Sequence, residues 1–242
     1  MDRALFAAAS GMAAQQRNLD TIADNLANAE VVGFKGSAQT FAALIAPGQS
    51  GLGTVALGAR VLFAQGKLAR SPGAFDLAID GPGFFRLLDR LGRERYTRNG
   101  EFSRAADGTL RDWQDLRLAG IRIPPDALSA KVSADGSVQA TFPSGARTIG
   151  RIRLTEFSSP EQLRNVGGAL FEATPQAGKP RQIAAGSDEG PKLRFGMLEQ
   201  SNVTIIDAMM QILTAQRAYE ANAKGVQAAD EMLRIANNLQ RG

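Results

Sequence analysis

The residues best suited to chemistry are two carboxylates, Asp76 and Asp80, which flank a short apolar stretch. A pair of carboxylates is what an enzyme that hydrolyses glycans needs, one as the acid and the other as base or nucleophile. Four residues apart on a strand, the two side chains share a face but lie roughly 13 Å apart, farther than in glycosidases. We therefore interpret them as turn and strand-end residues, and a cell-wall glycan-acting enzyme is the less favoured alternative.

Composition removes most other catalytic and metal chemistry. The 242 residues include no His and no Cys. Zinc sites built on thiolate or imidazole are therefore excluded, as are Ser–His–Asp and Cys–His nucleophiles. The Asp-Gly pairs at 107–108 and 135–136 lack the further acidic positions of a calcium loop. We predict that the protein is not an enzyme and has no catalytic residues, no metal and no cofactor.

A cluster of arginines among aromatic residues raises the possibility of a nucleic-acid site. The acids Asp89, Glu94 and Glu101 are interleaved with them. Cross-strand ion pairs explain this alternation more simply than phosphate contacts do, so we predict no nucleic-acid partner. The arginines of the cluster are Arg86, Arg90, Arg93, Arg95, Arg98 and Arg104.

The longest regular pattern is a heptad seam between residues 202 and 241. Large apolar residues recur every seven positions, with alanine three residues after most of them, which predicts one long helix that Ser201 or Asn202 caps. Because this helix would be roughly 58 Å long, a compact domain of this size cannot bury its seam, and it needs a partner helix. The large seam residues are Ile205, Ile212, Tyr219, Val226 and Leu233.

A second seam lies at the other end of the chain, where residues 2–29 read as one alanine-rich helix. Gly11 lies inside it, and we favour a close approach of another backbone at that point. Two amphipathic terminal helices fit either a protein whose function is association or an ordinary helical hairpin that closes a core. The seam residues of this helix are Leu5, Met12, Leu19, Ile22 and Leu26.

The sequence between the helices has a different character. Residues 36–53 read as a loop or short helix followed by a flexible linker, and short strands separated by turn signals follow. Asn99-Gly100, the strongest of these signals, predicts a hairpin between segments 93–98 and 101–104. The Asp-Gly pairs at 107–108 and 135–136 mark two further turns. We predict an α+β protein with paired, coiled-coil-like terminal helices and an all-β middle of short antiparallel strands. Its expected parts are residues 1–35, 36–72, 73–195 and 196–242.

Charge and hydropathy argue against a membrane protein. The sequence has no run of eighteen apolar residues, so we predict no membrane insertion. It also has no basic segment followed by an apolar run and a cleavage site, so we expect no cleavable secretory signal. The net charge of +4 comes from the middle of the chain, so the helices are not basic membrane binders.

Several motifs, in order, resemble the bacterial flagellar rod and hook proteins. The first is SGMAAQQRNLDTIADNLANAEVVGFK (10–35), which carries Asp24 where that family usually has Asn. Further similar segments are FAQGKLARSPGAFDLAIDGPGFFRL (63–87), YTRNGEFSRAADGTL (96–110) and QRAYEANAKGVQAADEML (216–233). The resemblance covers nearly the whole chain.

The resemblance implies a structural subunit of the flagellar basal-body rod, which self-assembles through its terminal helices and transmits torque from motor to hook. It implies helices in an inner layer and the β domain outside. The expected partners are copies of the chain, other rod and hook proteins and the flagellar export apparatus, and the expected location is the rod across the periplasm. A related hook-type axial subunit is an alternative, and proximal and distal rod positions both stay open. The ten seam residues named above are the predicted assembly interface.

Overall fold

The computed structural model describes residues 2–44, 53–186 and 190–239. Within them are two α-helices, α1 (Asp2–Ala27) and α2 (Ile205–Leu239), and a long series of short strands between them. The chain is therefore α+β, with a helix at each end of an antiparallel middle, as predicted. The strands are β1 (Ser37–Ala43), β2 (Thr54–Val61), β3 (Leu68–Arg70), β4 (Leu77–Asp80), β5 (Phe85–Leu88), β6 (Glu94–Thr97), β7 (Ser103–Arg104), β8 (Thr109–Arg111), β9 (Arg117–Arg122), β10 (Ser129–Val132), β11 (Ser137–Phe142), β12 (Gly145–Arg151), β13 (Arg153–Glu156), β14 (Arg164–Gly167), β15 (Leu170–Glu172), β16 (Arg181–Ala184), β17 (Lys192–Phe195) and β18 (Met197–Glu199).

Contacts divide the chain into two compact units. The helical unit consists of Met1–Ala29, Gly36–Leu62 and Val203–Gly242, and the β unit consists of Glu30–Lys35 and Phe63–Asn202. The four sequence-based segments stay predictions about domain organisation. Neither described helix contains an apolar stretch of the kind that crossing a bilayer requires.

The start of α2 differs from the prediction by a few residues. Its cap is Thr204, whose Oγ1 accepts a hydrogen bond from the backbone N of Asp207 at 3.1 Å. Thr204 also donates to the Asp207 carboxylate at 2.5 Å, so its hydroxyl satisfies one free N–H of the first turn, that of Asp207. The expectation that Ser201 or Asn202 caps the helix is wrong, because helical structure starts only at Ile205 and Thr204 is the residue directly before it.

Residues 37–43 form a strand, so the predicted loop or short helix at the start of segment 36–53 is wrong. β1 pairs antiparallel with β2 in a hairpin, with a register shift between Thr40 and Phe41. The alanines of this segment favour a helix locally, but pairing with the β-branched β2 decides its structure. The linker that was predicted in the later part of segment 36–53 falls largely on residues 45–52, which lie outside the described residues.

The β unit is built from antiparallel sheets. Its largest sheet has seven strands in the order β14-β15-β6-β5-β9-β8-β7, and β10, β11 and β12 form a second sheet. Between them lies a core of fully buried side chains that includes Phe85, Leu87, Leu110 and Ile152. The predicted all-β middle is confirmed in this arrangement.

The turn signals were correct at two Asp-Gly pairs and wrong at Asn99-Gly100. Asp107 and Asp135 lie in the turns that join β7 to β8 and β10 to β11. At Gly100 the chain instead packs against another segment, where a Cβ would lie 1.6 Å from the carbonyl oxygen of Leu77. The Leu77 N–H donates to the Gly100 carbonyl at 3.0 Å. β6 therefore pairs with β5 and β15, and the predicted hairpin does not form.

Candidate assembly surface

The two terminal helices pack against each other within the helical unit. Ile22 of α1 is buried with Ala208 and Ala215 of α2. The next layer consists of half-buried seam residues that border this cluster, namely Leu19, Leu26 and Ile212. The predicted α1 seam therefore faces the alanine side of the α2 seam, and small residues let the two helices lie close together.

Gly11 marks a second close approach between the helices. A Cβ at this position would lie 3.0 Å from Nδ2 of Asn222. The neighbour is therefore the side chain of Asn222, and the expectation that another backbone approaches at this point is wrong. Because Gly11 precedes Ile22 while Asn222 follows Ala215, the two helices run antiparallel.

The large residues of the predicted interface are less completely covered than the alanines. On α2, Ile205 is 46% exposed and Tyr219 is 38% exposed, and Ile212 and Val226 are half-buried. Leu233 lies in α2, but its side chain is outside the part of the chain that the structure describes. On α1, Ile22 is buried, whereas the remaining seam residues are half-buried: Leu5, Met12, Leu19 and Leu26.

A second apolar stripe on α2, which the heptad pattern does not include, is more exposed than the seam. We call Ile206, Met209, Met210 and Leu213 the outer stripe; their exposed fractions are 72%, 56%, 56% and 57%. Their spacing of three and four residues places them on one face of the helix. The same spacing is present in the sequence and could have identified them. Between residues 203 and 216 the only charged residue is Asp207.

The two candidate catalytic carboxylates have separate structural partners. Asp76 is buried and accepts a hydrogen bond from the hydroxyl of Ser71. Asp80 ends β4 and pairs with Arg194 of the neighbouring β17 at 2.7 Å. Both are therefore strand-end residues, as interpreted from the sequence. Among the described residues no cluster of acids has the composition of a metal site.

The arginine cluster is explained by ion pairs. Arg86 of β5 contacts Glu94 of β6 at 2.8 Å, the cross-strand pairing that the sequence predicted. Arg104 instead donates to the carbonyls of the 124–127 segment. The remaining arginines have the following partners: Arg90 with Asp115, Arg93 with Asp89, Arg95 with Glu172, and Arg98 with Glu199.

These pairs also change the proton affinity of the acids. The hydrogen bond from Arg93 lowers the pKa of Asp89, and the hydrogen bond from Arg90 lowers the pKa of Asp115. Each carboxylate is therefore held in its charged form by a partner within the chain. The guanidinium groups of Arg93 and Arg90 are in turn paired with these carboxylates.

Comparison with known proteins matches the chain from end to end. Its residues 5–35 match the family described as flagella basal body rod protein. Residues 78–140 match the flagellar hook protein FlgE/F/G D1 domain. Residues 195–239 match the flagellar basal body rod FlgEFG protein C-terminal family.

Full-length relatives agree with these matches. The flagellar basal-body rod protein FlgG of Borreliella burgdorferi is 38% identical, with 100% of both chains covered. This chain belongs to the flagellar basal-body rod protein family. The FlgG of Bacillus subtilis is 33% identical, again over 100% of both chains. The FlgF of Caulobacter vibrioides is 32% identical over 98% of this chain and 97% of its own.

Membership of the rod family decides between the classes of function that the sequence left open. The rod protein is a structural subunit of the flagellar basal body and not an enzyme. Its chemistry is therefore packing and not turnover.

Proposed function

We propose that this rod protein polymerises through its helical unit into the axial shaft that transmits torque from motor to hook. Its neighbours are copies of itself and other rod and hook subunits. The ten seam residues and the outer stripe form the interface, and the helices pack in it in a coiled-coil-like manner. We expect the chain to reach the rod, which crosses the periplasm, through the flagellar export apparatus.

The observation that carries this proposal is the outer stripe. In the first three turns of α2 the polar residues Asp207, Gln211 and Thr214 form one strip, and the rest of the surface is apolar, which is wider than one neighbouring helix covers. Contact with α1 covers only the side that bears Ala208 and Ala215. Ile206 and Met210, on another side, stay more than half exposed. A continuous apolar face of this kind marks an interaction surface.

Burial of the outer stripe would contribute enough free energy to drive association. A fully buried Leu, Ile or Met side chain contributes roughly 1.5–3 kcal/mol relative to an exposed one. Because the outer stripe lies on one side of α2, its contact with a different surface of the next subunit is heterologous. Heterologous contacts that do not close into a ring build a filament, which is the form of an axial shaft.

The test replaces one residue of the outer stripe with a charge. In Met210→Asp, an unpaired carboxylate would be buried at each contact, which costs roughly 3–5 kcal/mol and lowers the association constant by at least about a hundredfold. Sedimentation of the purified chain measures polymer formation, and swimming of cells that carry the variant measures rod function. We expect both to be lost, while the circular dichroism of the monomer stays unchanged.

The matched control is Gln211→Asp, which adds the same charge at an exposed polar position next to Met210 but about 100° away from it around the helix, off the face of the outer stripe. It should polymerise and support swimming like the parent chain. Normal polymerisation of Met210→Asp, or equal loss in both variants, would refute the proposed interface.

A further inference from the structure

A fully buried carboxylate lies at the end of the β unit, outside the surfaces discussed above. Glu199, the last residue of β18, contacts Lys35 through an Nζ–Oε1 distance of 2.6 Å, and both side chains are completely buried. The Nε of Arg98 lies 3.3 Å from the other carboxylate oxygen, and the Arg98 side chain is only 5% exposed. The cluster therefore combines two cations and one carboxylate away from water.

The same carboxylate joins segments that are distant in sequence. Its Oε1 also accepts a hydrogen bond from the backbone N of Gly66 at 2.9 Å. Lys35 Nζ donates a second bond, at 2.7 Å, to the carbonyl of Ala64. The backbone carbonyl of Glu199 accepts from the N–H of Gly33 at 2.7 Å. Segments 33–35, 64–66 and the end of β18 thus meet at one side chain.

Close packing around the carboxylate makes this arrangement specific. At Gly66 a Cβ would lie 1.9 Å from the carbonyl oxygen of Gln200, so only glycine fits. Gln200 in turn donates its N–H to the carbonyl of Lys67 at 2.9 Å. The two backbones are therefore in direct contact beside Glu199, and a shift of either would break the bonds to its side chain.

The three segments share a second property, their place in the chain. The chain passes from the β unit to the helical unit, or back, at positions 29/30, 35/36, 62/63 and 202/203. Each of the segments that meet at Glu199 lies within a few residues of at least one of these positions, and segment 33–35 belongs to the short stretch between the first two. The carboxylate thus holds together, inside the β unit, the three segments from which the connections to the helical unit start.

Electrostatics explains why replacing the carboxylate with a neutral group destabilises this cluster. Burial lowers the pKa of Lys35 and of Arg98, and the charge of Glu199 opposes this effect at both groups. A buried ion pair contributes little net stability, but removal of one partner leaves an uncompensated charge. Without Glu199, two buried cations would lose their counter-charge together.

We infer that Glu199 is a positioning residue whose carboxylate fixes, relative to one another, the three segments through which the β unit continues into the helical unit. The inference goes beyond the proposed function, since it concerns a single chain and does not need assembly. It predicts a local effect: without the carboxylate, the β core keeps its fold, and the three segments open.

The experiment measures amide hydrogen exchange in the full-length monomer of Glu199→Gln. We expect exchange at Gly33, Gly66 and the segment 200–202 to become at least about tenfold faster, which corresponds to about 1.4 kcal/mol of local opening. Amides of β5 and β6 should keep their protection. Asp80→Asn is the matched control, since it removes a carboxylate from an exposed pair in the same unit and should leave Gly66 unchanged.

A second variant covers the case in which Glu199→Gln does not fold. Lys35→Met with Glu199→Met removes a cation together with the anion, so the buried charge does not increase. Gly66 still loses its acceptor and should still exchange faster, with β5 and β6 protected. Unchanged exchange at Gly66 in the folded variants, or a uniform increase that includes β5 and β6 in the double variant, would overturn the inference.

Discussion

The two units of this rod protein differ in how many of their large apolar side chains are exposed. Among the described residues, seventeen large hydrophobic side chains are exposed, and twelve of these belong to the helical unit. The ion pairs show the reverse distribution, since twelve of the thirteen found in the described residues lie in the β unit. The β unit therefore covers most of its large apolar side chains, whereas the helical unit leaves many of them exposed, and we propose that other subunits cover these.

The difference follows from the length and shape of the elements. The short strands of the β unit fold back on one another and enclose side chains such as Phe85 and Leu87, both fully buried. A helix of 35 residues such as α2 is too long to be enclosed in this way, and one neighbouring helix covers one side of it. An enclosed core and an uncovered apolar surface are thus built from the same chain by different geometry.

The largest expected effect is a contrast in amide exchange between the units of the monomer. We predict that β5 and β6 exchange only through global unfolding, whereas α1 and α2, with their apolar faces uncovered, exchange faster by several orders of magnitude. Exchange followed by mass spectrometry measures this contrast. Strong protection of both helices in a verified monomer would contradict it, and assembly should remove the contrast.

Truncating one large side chain should reduce monomer stability in the β unit but polymerisation in the helical unit. Phe85→Ala removes a buried ring that packs edge-on against the ring of Phe102, with 5.3 Å between the ring centroids. This substitution should lower the free energy of unfolding by about 3–5 kcal/mol. Met210→Ala removes an exposed side chain, so the monomer should change by less than about 0.5 kcal/mol while polymerisation weakens. Denaturant unfolding of the monomer and sedimentation of the polymer separate the two effects. An equal loss of monomer stability in both variants would remove the distinction between the units.

Two glycines test how closely the helices of the helical unit approach each other. Gly225 of α2 has no described atom within 4 Å of the position that a Cβ would occupy, so Gly225→Ala should stabilise the helix by about 0.5–1 kcal/mol. Gly11→Ala gains the same helix propensity but forces the Asn222 side chain to move, so its benefit should be smaller or reversed. Thermal unfolding followed at a helix-sensitive wavelength compares them. Equal stabilisation by both substitutions would show that the contact at Gly11 is loose.

The smallest expected effect is a pH dependence of the free energy of unfolding in acid, which arises from Glu94 in the β unit. The hydroxyl of Tyr96 donates to Glu94 at 2.5 Å and lowers the pKa of that carboxyl below its usual 4.5. A carboxyl with a lowered folded-state pKa adds stability above pH 4.5, and this is lost as the pH falls through the folded value. Unfolding of the parent chain and of Glu94→Gln should therefore differ at neutral pH and converge in acid. A difference that stays constant down to the most acidic condition would exclude this linkage.

The sequence alone was sufficient for the features that depend on local periodicity and on turn chemistry. The seven-residue spacing from Ile205 to Val226 predicted α2, and the Asp-Gly pair at 107–108 predicted the turn between β7 and β8. Both signals work because neighbouring residues decide the outcome. The outer stripe could be identified in the same way, although its spacing is less regular than that of the heptad seam beside it.

Tertiary structure decided the features that depend on distant parts of the chain. Asn99-Gly100 has the local chemistry of a hairpin turn, yet contact with Leu77 sets its conformation. Lys35 and Glu199 are separated by 164 positions, and no local pattern indicates that they meet. Local free energies of turns and caps can be estimated from neighbouring residues, but a buried pair exists only after the whole unit has closed around it.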